Sequence, residues 1–224
     1  MGFPSRPVVA TLLGFVPTVC RFMVLNEPRD SVTAQPVAGL THRLVLRPPR
    51  DSDLDTMVAL YADPAVTRFC VAATPQGRDA TRAQLQAWIS HWQAHGFGHW
   101  AIAERERPDT LIGFGGLMHR SVAGHDGLFL YYRFTPQAWG RGLASEMALH
   151  AFGQAFDQRH EPAVAAAVLP SNAPTRKTLE GLGMRPKGTL SDGPGNAASL
   201  LYELTAERWA ALPHPAPAVV AFAA

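Results

Sequence analysis

The sequence predicts a mixed α/β (α+β) domain: one mostly antiparallel central sheet with flanking helices. Three observations lead there. A strand-like run at 128–134 passes through a glycine turn into an amphipathic helix that begins at Leu143. The apolar runs upstream of it are separated by short turn segments, the spacing of hairpins rather than of crossovers. A second strand-like run at 162–169 stops at Pro170 and leads into a helix with Asn172 at its mouth.

Residues 44–47 read as the first strand. Asp53 is placed to cap the next helix, in which Leu54, Met57, Val58 and Tyr61 share a face. Residues 78–95 predict a second helix with Leu85, Trp88, Ile89 and Trp92 turned inward. Its tryptophans read as core, with a substrate wall as the other reading. Residues 98–104 form a strand, and Arg107-Pro108-Asp109-Thr110 is expected to turn into the next one. Gly124-His125-Asp126-Gly127 is expected to be a second hairpin loop. The run Leu128-Phe129-Leu130-Tyr131-Tyr132-Arg133-Phe134 is aromatic and aliphatic enough to be a buried strand. In the helix after it, Leu143, Met147 and Ala151 recur every four residues, and Ala144, Ala148, Phe152 and Ala155 fill the flanking stripe. Asn172 caps a helix that runs through Leu182, with Gly183 just past its end. Residues 187–190 and 200–204 close the sheet as a strand pair.

The chemistry concentrates in Pro136-Gln137-Ala138-Trp139-Gly140-Arg141-Gly142-Leu143-Ala144. Two glycines at a helix mouth let the backbone approach a ligand closely. The free N–H groups of the first helical turn, together with the helix dipole, favour an anion there. Strand, glycine turn and helix together describe a pyrophosphate cradle; a glycine turn without a ligand is the competing reading. The chain has no Gly-Lys-Ser/Thr triplet of a Walker loop, and Ser145 stands where a dinucleotide fingerprint has its third glycine.

Composition fits a single soluble enzyme domain with extensions. Of 224 residues, 47% are hydrophobic, enough for a core, and the net charge of +2 carries no Lys/Arg block. That argues against nucleic acid as the main partner. Cys20 and Cys70 make no disulfide framework and no metal spacing, so a cytoplasmic location without a metal is the expectation. The apolar run 7–20 is too short to span a membrane. After Arg6 it faintly resembles a signal peptide, without a convincing cleavage site. Residues 1–40, with five prolines from Pro4 to Pro36, are expected to be a loose extension, and Met23 is an alternative start. The domain is expected at 41–212, followed by a Pro/Ala-rich tail at 213–224.

Over 41–209 the chain resembles the GNAT acetyltransferases, in particular the subgroup of ribosomal-protein N-terminal acetyltransferases. Gln137, Gly140 and Gly142 match the acetyl-CoA signature of the family. Thr41-His42-Arg43-Leu44-Val45-Leu46-Arg47-Pro48 is similar to the subgroup's opening strand, and Asp63-Pro64-Ala65-Val66 to its turn between two short helices. Leu111-Ile112-Gly113-Phe114-Gly115-Gly116-Leu117 resembles the third core strand. The segment from Asn172 to Met184 resembles the last helix of the motif. The resemblance implies acetyl-CoA as co-substrate, an amine acceptor, and strands 128–134 and 163–169 that run parallel and splay apart.

It also implies roles. Backbone N–H groups of Gln137, Ala138, Trp139, Gly140, Arg141, Gly142, Leu143 and Ala144 would anchor the pyrophosphate, with the Arg141 charge assisting or else merely solvated. Edges of Arg133, Phe134 and Thr135 would pair with the pantetheine amides, and Asn172 and Arg176 would lie on the cofactor side. The family's helix tyrosine is replaced by Leu179, so no tyrosine acid is carried over. Thr175 stands at the subgroup's serine position, as proton donor or as a local hydrogen-bonder. Glu203, His125 and His99 are candidate bases, and a water relay needs none of them. The acidic residue common in relatives before the cradle strand is missing, with Phe129 and Leu130 there and Asp126 slightly earlier. The acceptor is a protein N-terminus or a small amine, lined by Tyr61, Phe69, Trp88, Trp92 and Asp192. A homodimer stays open, and a non-catalytic acyl-CoA sensor is the alternative function.

Overall fold

The structure, a computed structural model, describes residues 39–68, 77–191 and 198–213. The extension at 1–38, the tail from 214, both cysteines, Phe69 and Asp192 lie outside the described residues. All described residues fall in one compact unit.

Among the described residues one sheet of eight strands organises the domain: β1 (Gly39–Leu40), β2 (Leu44–Arg47), β3 (His99–Glu104), β4 (Arg107–Val122), β5 (His125–Phe134), β6 (Ala163–Val168), β7 (Arg185–Leu190) and β8 (Ser199–Thr205). Their spatial order is β1-β2-β3-β4-β5-β6-β8-β7, antiparallel throughout except for the parallel pair β5–β6. Between β2 and β3 come α1 (Leu54–Ala62), α2 (Pro64–Thr67) and α3 (Gly77–His95). The β5–β6 crossover carries α4 (Leu143–Phe152), which continues as a π-helical segment, Gly153–Gln158. The last helices are α5 (Ala173–Gly181) and α6 (Ala206–Ala211).

Apolar clusters on both sides of the sheet follow from the pleat, because alternate strand residues face opposite sides. On one side Leu128, Leu130 and Phe134 of β5 pack with Leu143, Met147 and Ala151 of α4, Leu179 of α5 and Trp209 of α6. On the other, Ala101 and Phe114 meet Met57 and Tyr61 of α1 and Leu85 and Trp88 of α3, with Tyr131 against them. The α4 stripe and the inward face of α3 therefore lie where the four-residue periodicity puts them.

Three local expectations are corrected. Asp53 does not cap α1 with its side chain. Its carboxylate instead takes both Nη atoms of Arg47, at 2.7 and 2.8 Å, and the Arg50 N–H at 2.8 Å. A two-pronged charged pair outbids a single neutral cap bond. Residues 107–110 are extended within β4, and the reversal is Arg105–Glu106, since Glu104 and Arg107 are register partners. The next turn is Ala123–Gly124, with φ of 49° and 77°, the left-handed pair that a two-residue hairpin needs. His125, Asp126 and Gly127 are already strand.

Candidate functional site

β5 and β6 pair only at Leu128–Val164 and Phe129–Ala165. Beyond that point β5 runs on to Phe134 and β6 to Val168 without register partners in each other. The sheet therefore opens in its middle. A short 3-10 turn, Pro136–Ala138, follows β5 and leads to Gly140 and Gly142, whose φ values are +73° and +74°. That left-handed backbone is why glycines stand there. A Cβ on Gly140 would meet nothing within 4 Å, and one on Gly142 would meet only Arg43 Nη2, at 3.7 Å. Glu146 N donates to Gly142 O at 3.0 Å, so the N–H groups of Leu143, Ala144 and Ser145 precede the helical ladder. Bare backbone, open space and unpaired donors fit a pyrophosphate at this turn.

The other cradle residues are placed as follows. Ala138 is buried, and Trp139 is exposed with its Nε1 donating to Phe134 O at 2.9 Å. Gln137 is exposed. Arg141 does not point its charge at the turn: its Nη1 donates to Glu104 Oε1 at 3.0 Å and its Nη2 pairs with Oε2. The Arg141 guanidinium holds the Glu104 carboxyl below the usual range.

Strand parity decides which β5 residues can pair across the gap. Thr135 N donates to Ile112 O at 2.8 Å, and Gly113 is the register partner of Phe134. The carbonyls of Arg133 and Tyr131 face the β4 glycines. In an antiparallel ladder alternate residues bond to the same neighbour. Arg133 and Thr135 therefore turn their backbone groups to β4, and Tyr132 and Phe134, past the last β6 partner, present theirs to the gap. Of the three residues expected to pair with pantetheine, only Phe134 faces it, and its carbonyl is already taken by Trp139. Tyr132 also faces the gap, and the sequence does not single it out, because parity depends on register with β4.

The Arg133 guanidinium lies 4.4 Å from the Tyr61 ring centroid, on the α1–α3 side. Asn172 Oδ1 accepts from Thr175 N at 3.2 Å, the expected cap. Arg176 donates to Pro170 O at 3.2 Å and from its Nε to Tyr202 Oη at 3.5 Å.

The proton-transfer candidates are not gathered at one point. Thr175 sits in the first turn of α5, half-buried, beside the Tyr132 phenol. Tyr132 Oη is buried and, among the described residues, has no hydrogen bond of good geometry. Burial pushes its pKa up, and the neighbouring hydroxyls of Thr175 and Thr178 offset that only in part. Glu203 lies on β8 opposite Ala165 and is ion-paired to Lys187. It shares a strand face with Leu201, whereas Tyr202 and Leu204 face the helix side where Thr175 lies. Thr175 and Glu203 thus stand on opposite sides of the sheet. His125 begins the ten-residue β5 at its far end, about 30 Å of extended chain from Phe134. His99 is fully buried, and desolvation, helped by the charges of Arg120 and His91, lowers its pKa to about 3.

Of the described residues expected to line the acceptor side, Tyr61 and Trp88 are core. Trp88 is 3% exposed and packs on His99, Phe114 and Tyr131, and Tyr61 Oη lies 2.9 Å from Tyr131 Oη. Trp92 is half-buried and donates to His99 O at 2.7 Å. A surface hollow of about 260 Å³ touches that side at Trp92, with Pro49, Asp51 and Ile89 among its other lining residues. Among the described residues no helix is long and apolar enough to cross a membrane, and no group of His, Cys, Asp and Glu is arranged to hold a metal.

Comparison with known proteins agrees with this geometry. The acetyltransferase (GNAT) domain pattern matches residues 43–185. YoaA of Bacillus subtilis (strain 168), an uncharacterised N-acetyltransferase, is 24% identical over 152 residues, which cover 67% of this chain and 84% of YoaA. A GNAT-family acetyltransferase structure from Bacillus anthracis superposes with a TM-score of 0.62 at 17% identity, over 75% of this chain and 98% of that one. RimL, a ribosomal L7/L12 alpha-N-protein acetyltransferase solved in complex with coenzyme A, gives a TM-score of 0.59 at 12% identity, over 76% and 98%. The chain belongs to the GNAT acetyltransferase family and is an acetyl-CoA-dependent acyltransferase.

Proposed function

We propose that this acetyltransferase moves the acetyl group to a primary amine by direct attack, the amine being a protein N-terminus or a small molecule. The observation that carries the reading is the opening between β5 and β6, with the glycine cradle at the end of β5. Acetyl-CoA supplies an activated thioester, whose acyl carbon accepts the amine as the thiol departs.

The chain's part is to bind, orient and move protons. N–H groups of the Gly140–Ser145 turn hold the pyrophosphate. Edges of Tyr132 and Phe134 pair with the pantetheine amides as a missing strand would. A backbone N–H on that edge donates to the oxygen that gains charge during attack, which is worth most in a dry, preorganised site. Thr175, with the protonated Tyr132 phenol beside it, delivers a proton to the leaving sulfur. The ammonium proton leaves through water. Glu203 is committed to Lys187, and His99 is too weak a base at a pKa of about 3. RimL's named acceptor favours a protein N-terminus only as far as a shared fold can, and the cytoplasm is the expected compartment.

A thiol-release screen with peptides, polyamines, aminoglycosides and amino acids tests the reading. Amine-dependent release above the hydrolysis rate is expected with one of these classes. Acetyl-CoA binding with no turnover across the panel would overturn it in favour of an acyl-CoA sensor.

A further inference from the structure

We infer that Arg43, 98 residues upstream of Arg141, is the cationic side chain of the pyrophosphate site, and that Glu146 is the positioning residue that aims it. The inference rests on acetyl-CoA binding in the glycine cradle, as proposed above.

Arg43 stands just before β2, where the chain enters the sheet. Its backbone N–H donates to Glu146 Oε1 and its Nε to Glu146 Oε2, both at 2.7 Å. Thr41 Oγ1 donates to the same carboxylate. Burial alone would raise the Glu146 pKa, but these hydrogen bonds and the Arg43 charge together hold it below the usual range. The carboxylate is therefore a fixed anion at neutral pH. It sits in the first turn of α4, four residues past Gly142.

This grip fixes where the guanidinium goes. Nη1 donates to Arg141 O at 2.8 Å, which ties the cradle loop to the first strands. Nη2 lies 3.7 Å from the point where a Gly142 side chain would begin, and has no hydrogen bond among the described residues. Three of the side chain's donor positions are thus assigned: one to Glu146, one to the cradle backbone, one over the cradle glycine. The Arg43 side chain remains 40% exposed, so a ligand has access to it. Arg141, the arginine within the motif itself, is turned to Glu104 instead. A charge-assisted N–H···O bond from a preorganised guanidinium is the contact that phosphate oxygens select.

Calorimetric titration of the full chain with coenzyme A and with 3′-dephospho-coenzyme A, at two salt concentrations, tests the assignment. Arg43→Met is expected to weaken both ligands about tenfold, the scale of one charged hydrogen bond, and to flatten the salt dependence of binding. Arg43→Lys keeps the charge but cannot span Glu146, Arg141 O and the cradle together; it should fold and lose roughly threefold for both ligands, keeping the salt dependence. Glu146→Gln should weaken binding while leaving that salt dependence in place. Wild-type affinity in folded Arg43→Met or Arg43→Lys would overturn the inference. So would loss for coenzyme A alone, which would make Arg43 a reader of the 3′-phosphate. Equal weakening in Arg43→Met with an unchanged salt dependence would reduce it to a brace of the loop and overturn it too. Failure of the wild-type chain to bind either ligand is a different result, and would instead reject the cofactor reading.

Discussion

His99 should make this protein's stability depend on pH in a way that one substitution removes. His99 is 2% exposed, and neither ring nitrogen has a hydrogen-bond partner among the described residues. It sits edge-on to Trp88 at 4.7 Å and tilted on Tyr131 at 5.0 Å. Burial, then the charges of Arg120 and His91, lowers its pKa from 6.5 to about 3. The unfolded chain therefore takes up a proton that the folded chain refuses. Stability from this group is complete above the unfolded pKa and drains away as pH falls from 6.5 toward about 3. Between about pH 7 and about pH 5.5 the loss is on the order of 1 kcal/mol, and it steepens with further acidification. His99→Leu, of similar volume, removes the titration. Its own packing change is the same at both pH values and cancels in the difference. Urea unfolding of both proteins at the two pH values, followed by tryptophan fluorescence, measures this. The wild type should lose on the order of 1 kcal/mol more than His99→Leu on acidification. Parallel losses would show that the ring finds a proton acceptor or water, and would refute the account.

Other perturbations follow from the same geometry. Gly142→Val places a branched side chain at φ +74° and over the cradle, so calorimetry should show acetyl-CoA affinity reduced at least about tenfold in the folded variant. Thr175→Ser should keep most activity, whereas Thr175→Val should lower kcat and kcat/KM together by roughly tenfold to a thousandfold; a rise confined to the KM for acetyl-CoA would mark a binding role instead. Asp53→Ala strands the half-buried Arg47 charge and should cost about 3 kcal/mol in urea unfolding, far more than a lost helix cap. A chain spanning 23–213 should melt within a few degrees of the full chain, as read by circular dichroism; a large drop would give the N-terminal run a place in the core.

Local signals made much of this fold readable. The Gly140–Gly142 turn, the four-residue stripe of α4, and the Pro170–Asn172 stop and cap are each written in a few adjacent residues, and each stands where it was expected. Long-range pairing was not readable. Asp53 has the right type for a cap, but Arg47 on the adjacent strand takes its carboxylate. Arg141 has the right place for a phosphate, but Glu104 holds it, and Arg43 reaches the cradle across 98 residues. Nothing local in His99–Glu104, where every residue is buried, shows that the histidine lacks a polar partner.

The deepest gap between sequence and site is a parity of one residue. Shifting β5 by one position against β4 would turn Arg133 and Thr135 toward the opening and swing Tyr132 to the other face, away from Thr175. Backbone pairing and the hydroxyl pair would be lost in one step. The β4 glycines make the observed register hard to escape. At Gly113 a Cβ would collide with Arg133 O, and at Gly115 it would lie 2.8 Å from Tyr132 Cβ and 2.9 Å from Tyr131 O. The two strands therefore approach there as only glycine permits, and the β5 carbonyls that face them are fixed. The segment from Leu111 to Leu117, which the sequence marks as an ordinary core strand, thus sets which edge of β5 is left for a ligand.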